Sequence, residues 1–183
     1  MRRTASSRTV TLLTAVMATA SISVPTNAAP RNGASRKPAN VVKEYCRLDS
    51  EGARLSSETW PRVAPLVGWE EEPGWDTATL VSRYRIESTA VGPDHATVIV
   101  VFRILGRLEE EKLIAPAGKY ETLAFRLERT GEDWKIVRPV RPPHVTVRSM
   151  IEHLRALLQH EKNESDQKEK LEKQLRQLEE WKK

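Results

Sequence analysis

Four histidines, His95, His144, His153 and His160, carry the broadest chemical reach in this sequence, because imidazole can bind a metal or move a proton near neutral pH. Their spacing argues against a shared metal. No two stand four residues apart on a helix, and His153 and His160 are two turns apart, so no metal site and no cofactor is expected. Nucleophilic chemistry has no better footing: there is no Gly-x-Ser-x-Gly elbow, no glycine-rich phosphate loop and no paired-cysteine motif. Cys46 is the only cysteine, which rules out an internal disulfide, and its place among apolar residues marks a small buried side chain. His95 follows Gly92-Pro93-Asp94 and is expected in water at a hairpin end. Three tryptophans, Trp60, Trp69 and Trp75, punctuate the stretch 58–76. They are expected to close over an apolar interior, with Glu70, Glu71 and Glu72 beside them as a solvated loop.

These side chains need elements to hold them. Val41, Val42, Tyr45, Cys46 and Leu48 recur at helical spacing and predict a helix ended by Gly52. A shorter apolar set, Trp60, Val63, Leu66 and Val67, is interrupted by Pro61 and Pro65 and reads as a short helix or bent turn. From residue 77 the period changes to two. Leu80, Tyr84 and Ile86 are expected on one side of a strand, opposite Arg83, Arg85 and Glu87. The run from His95 to Leu108 is apolar on both sides, as in a central strand, with Val98, Val100, Phe102 and Ile104 pointing one way. Residues 120–129 form a third strand, and a Thr-Gly-Glu-Asp turn leads straight into Trp134-Lys-Ile-Val. Strands joined in succession give an antiparallel sheet. Trp134 and Ile136 point together into the core, and Pro139, Pro142 and Pro143 end the ladder.

Beyond residue 147 the chain turns helical and highly charged. Met150, Ile151, Leu154, Leu157 and Leu158 form a docking face, and Leu171, Leu175, Leu178 and Trp181 form a narrow seam. Between residues 161 and 183 seven acids balance seven bases, several of them paired four apart in the favourable order. The seam is a candidate surface for a protein partner or for self-association.

At the other end, Arg2, Arg3 and Arg8 precede an uncharged apolar run and the small residues before Pro30, the order of a cleavable export signal. Cleavage after Ala28 is expected, then a flexible leader over 29–40, a folded domain over 41–147 and a charged C-terminal helix over 148–183. The location implied is the periplasm or the medium. The apolar run is short for a membrane span, so no stable insertion is expected after cleavage. The signal holds three of the 30 basic residues and none of the 25 acids, leaving 27 against 25. Charges so mixed form no basic stripe, and no nucleic-acid partner is expected.

A leading helix around Glu44 to Arg54, the strand Val98 to Leu105 and the ending "TGEDWKIVRPVRPP" together resemble the nuclear-transport-factor-2-like superfamily, with its ketosteroid-isomerase-like and SnoaL-like branches. The resemblance covers roughly residues 38–147. It implies an α+β fold in which N-terminal helices pack on a curved antiparallel sheet forming a cone, here followed by a long C-terminal helix. It also implies a small apolar ligand in the cone, with Tyr84, Phe102, Tyr120 and Trp134 as the residues to line it. Some members are enzymes that set an aspartate base against a tyrosine and a neutral acid. Asp49, Asp76 and His95 are the ionisable groups nearby, and none falls on such a motif, so a non-catalytic module is the leading expectation. An isomerase, dehydratase or cyclase using the same pocket is the alternative.

Overall fold

The structure, a computed structural model, describes residues 36–72, 74–109, 112–160 and 165–181. The expected signal peptide and most of the leader lie outside the described residues. Helix α1 spans Pro38–Ser50, three residues earlier than the expected domain boundary, because Pro38 sits at its first position where its fixed φ suits a helix start. Gly52 ends it with φ +83°, while the Ala53 N–H donates to the Leu48 carbonyl. The second apolar set makes no α-helix. It forms two single turns of tighter helix, at Trp60–Arg62 and Ala64–Leu66, each with a proline as its second residue.

Six strands follow: β1 Thr77–Val91, β2 His95–Glu109, β3 Lys112–Ile114, β4 Tyr120–Thr130, β5 Asp133–Arg138 and β6 His144–Thr146. They form one strongly curled sheet in the order β5-β4-β2-β1-β6, with β3 paired to the end of β2. The four long segments are antiparallel as expected, but β6 runs parallel to β1 at the far edge. The proline-rich stretch is therefore a bridge between edges. Six steps from Arg138 to His144 reach about 20 Å. That is comparable to about four interstrand spacings of ~4.8 Å, enough to reach from one edge of the sheet to the other.

Of three irregularities in the β1–β2 pairing, the first two decide which side the residues flanking them face. Leu80 pairs with Gly106 and Val81 with Ile104, leaving Leu105 unopposed; Val81 and Arg83 pair with neighbours, leaving Ser82 unopposed. One extra residue reverses the alternation up to the next irregularity. Leu80 therefore does not share a side with Tyr84 and Ile86: it joins Ala78, Leu108, Val145, Met150, Ile151, Leu154 and Leu178 in one cluster, while Tyr84 and Ile86 pack on another. That other cluster lies under α1 and gathers Val98, Val100, Phe102, Phe125, Leu127, Trp134 and Ile136. Ile99 and Val101, expected to be covered as well, are only half-buried and belong to neither cluster.

The C-terminal region is two helices, α2 Val147–His160 and α3 Ser165–Trp181. The Ser149 N–H donates to Thr146 Oγ1 at 3.1 Å, capping α2. Both helices pack on the second cluster, where Leu178 is completely buried and Leu171 and Leu175 are half-buried. The expected seam is thus turned inward on the chain's own sheet. No helix among the described residues is long and apolar enough to cross a membrane.

Candidate functional site

A buried cluster of charges joins the two halves of the interior. Asp49 comes from the last turn of α1, Arg54 from the loop after it, and His144 from β6. All three are nearly inaccessible. Arg54 Nη1 donates to the Tyr45 hydroxyl at 2.7 Å and approaches Asp49 Oδ2 at 3.5 Å. Its Nε donates to Glu72 Oε1 at 2.9 Å, and Nη2 donates to the same carboxylate and, at 2.7 Å, to the Arg141 carbonyl. Such a fork suits guanidinium, whose donors lie in one plane. Glu72 also accepts the indole N–H of Trp75 at 2.7 Å and lies within 3.5 Å of the indole nitrogen of Trp69. Its side chain is 12% exposed. It is therefore not part of a solvated loop; its carboxylate gathers the Arg54 guanidinium and the indoles of Trp69 and Trp75.

Asp49 Oδ2 also accepts the His144 backbone N–H at 3.0 Å, while Oδ1 has no hydrogen-bond partner among the described residues. Burial pushes the Asp49 carboxyl up, and the nearby Arg54 charge only partly offsets it. The His144 ring lies 4.6 Å from that of Phe102, and its Nε2 is 3.2 Å from Glu121 Oε2. That contact holds the Glu121 carboxyl below its usual range. Burial raises the Tyr45 hydroxyl and the Cys46 thiol well above theirs, so both stay neutral.

Beside the cluster opens a cavity of about 810 Å³. Its walls come from residues 54–60, 70–72 and 74–76, the start of β1, the end of β2, and the inner faces of α2 and α3. Leu55, Trp60, Trp75, Ala78, Leu108, Met150, Leu154, Leu157 and Leu171 supply apolar surface, and Arg54, Glu70, Glu71, Glu72, Asp76, His153 and Gln174 supply polar groups. Burial pushes the half-buried His153 imidazole down, toward its neutral form.

No family model matches the chain, and no curated protein or solved structure is significantly similar to it. What can be said of the site therefore rests on its own geometry.

The four residues expected to line a ligand pocket do not come together. Phe102 and Trp134 are buried in the cluster under α1, and Tyr84 packs at its margin, 5.9 Å from Phe102, with its hydroxyl donating to the Lys43 carbonyl at 3.1 Å. Tyr120 is 60% exposed at the start of β4, beside a separate groove of about 380 Å³. None of the four lines the larger cavity. Of the expected lid tryptophans, Trp60 and Trp75 line that cavity, while Trp69 packs edge-on against Tyr45. Sequence reasoning missed Arg54, Glu72 and His144. The only signal was an Arg and a His in otherwise apolar or proline-rich surroundings, which carries no partner information. No group of three or more metal-binding side chains occurs among the described residues.

Proposed function

We propose that the protein is an exported, non-catalytic binding module of nuclear-transport-factor-2-like architecture that holds a small apolar ligand between its 54–77 loop and its C-terminal helices. The cavity carries this reading: at about 810 Å³, with leucines, a methionine and two tryptophans interspersed with polar side chains in its walls, it falls within the roughly 300–1,000 Å³ typical of small-ligand sites. The family reading draws support from a leading helix packed on a curled sheet whose long strands are antiparallel and whose Trp134 is buried. Catalysis draws little support. Asp49 is the carboxylate most removed from water, but it is not among the cavity's lining residues, and Arg54 and the His144 amide already occupy one of its oxygens. Partner binding through Leu171, Leu175 and Leu178 is weakened because those side chains are used inside the chain.

The test is titration with a neutral fluorescent probe, N-phenyl-1-naphthylamine. Saturable uptake at one probe per chain is expected, and Leu157→Trp, which fills the cavity, should abolish it. Absence of saturable uptake by the unaltered protein removes the reading. The export part is tested separately by sequencing the N-terminus of the protein recovered from a bacterial periplasm, which should begin at Ala29.

A further inference from the structure

Resting on that cavity reading, we propose that the cavity selects amphiphiles with a cationic head, a long-chain amine or quaternary ammonium. Glu70, Glu71 and Asp76 are exposed lining residues with no ion pair among the described residues, and Arg54 is the one Lys or Arg among the described lining residues. An anionic head would have to draw Arg54 away from Glu72, the Tyr45 hydroxyl and the Arg141 carbonyl, in a guanidinium whose side chain is 1% exposed. Removing one partner from a buried charged group is costly, so Arg54 is no anion receptor. His153 adds no positive charge, since burial favours its neutral form.

The aromatic lining points the same way. The indole N–H of Trp75 is donated to Glu72, and that of Trp60 lies 3.4 Å from the Glu70 carbonyl. With those donors engaged, what the indoles offer a ligand is their π surface, which attracts a cation and repels an anion. Leu154, Leu157 and Leu171 provide the surface for the alkyl chain. The three acids are exposed, so each contributes modestly, and their sum sets the preference.

The experiment follows tryptophan emission of the full chain during titration with decyltrimethylammonium, decanol and decyl sulfate, each below its micellar range. The cation should bind about tenfold more tightly than the alcohol, and the sulfate more weakly still. A variant carrying Glu70→Gln, Glu71→Gln and Asp76→Asn should bind decanol as before and lose the preference. Those positions are exposed, and an unchanged thermal midpoint verifies that the variant folds. Equal affinity for all three heads, tighter binding of the sulfate, or a preference that survives the triple variant overturns the inference and leaves the cavity reading intact. Binding of none of the three removes both.

Discussion

Beneath α1, Val98, Val100, Phe102, Leu127 and Ile136 are shut from water on every side, whereas under the α2–α3 pair Leu157 and Leu171 stay half-buried at a cavity. Both clusters lean on β1 and β2, but the buried aromatics Tyr45, Phe102, Phe125 and Trp134 all belong to the first, and the second is aliphatic. They differ in what closes them. The first is packed by a helix and a sheet that curls around it, so large side chains interlock at the density of an ordinary interior. The second is roofed by a tryptophan loop and two helices that meet the sheet at a margin, and the gap between them remains open. Extra residues at Ser82 and Leu105 mark the border, and the Asp49–Arg54–Glu72 cluster ties the sides together. A sheet interrupted in this way can keep one part rigid while another is free to receive a guest.

The largest effects should fall on the tie and on the closed side. Arg54→Ala strands Asp49 and Glu72 without their counter-charge, and a loss of about 3–5 kcal/mol is expected in urea unfolding. Phe102→Ala opens a void in the closed cluster and should cost about 3–5 kcal/mol. Leu157→Ala only enlarges a space that already exists, so about 1 kcal/mol or less is expected. If Leu157→Ala proves as costly as Phe102→Ala, the open side is packed like the closed one and the contrast disappears.

The sequence made one side of this contrast much easier to see than the other. Helical spacing around Tyr45 and Cys46, alternation from Val98 to Phe102, and the pair Trp134 and Ile136 all fall in the closed cluster, because one period runs unbroken through each. On the open side the information is non-local. An unopposed residue in a strand looks like any other residue, so the reversal at Ser82 was invisible and Leu80 was assigned to the wrong side. Three residues at His144–Thr146 are too few to show a period, and the place of β6 depends on β1, far back in the chain. Glu72 reads as one of three loop acids until Arg54, eighteen residues earlier, is found against it. The ligand candidates Tyr84, Phe102, Tyr120 and Trp134 failed to converge because alternation tells which residues face inward, not whether the inside is empty.

A smaller effect tests how closely the roof is fitted. A β-carbon on Gly106 would lie 2.3 Å from Trp181 Cζ3 and 2.9 Å from the Ile114 carbonyl oxygen. Gly106→Ala must therefore push the indole aside, and about 1–3 kcal/mol of destabilisation is expected, with a red shift of tryptophan emission as Trp181 moves into water. Combining it with Trp181→Ala should recover much of that cost, because the two changes share one contact. Strict additivity would mean that α3 does not rest on the strand at Gly106.

The smallest effect is a pH dependence that sets two carboxylates of the same seam against each other. Glu121, hydrogen-bonded to His144, has a folded pKa below its usual 4.5, so the stability it contributes is present above that value and is lost as pH falls through the lowered one. Asp49 works in the opposite sense. Burial raises its pKa above the usual 3.8, the folded state takes up a proton before the unfolded chain does, and stability rises as pH falls between those values. The two slopes oppose each other only where their windows meet, between pH 3.8 and pH 4.5. Asp49→Asn removes the rising slope, so its thermal midpoint should drop more between pH 7 and pH 4 than that of the unaltered chain. Glu121→Gln removes the falling slope, which lies below pH 4.5, so its midpoint should drop less than that of the unaltered chain between pH 4.5 and about pH 3. Differences within about 4 °C are expected for a chain of this size. If Asp49→Asn instead flattens the profile, Asp49 is ionised and stabilising in the fold. The cluster would then be a conventional ion pair, not a junction held at the expense of a buried carboxyl.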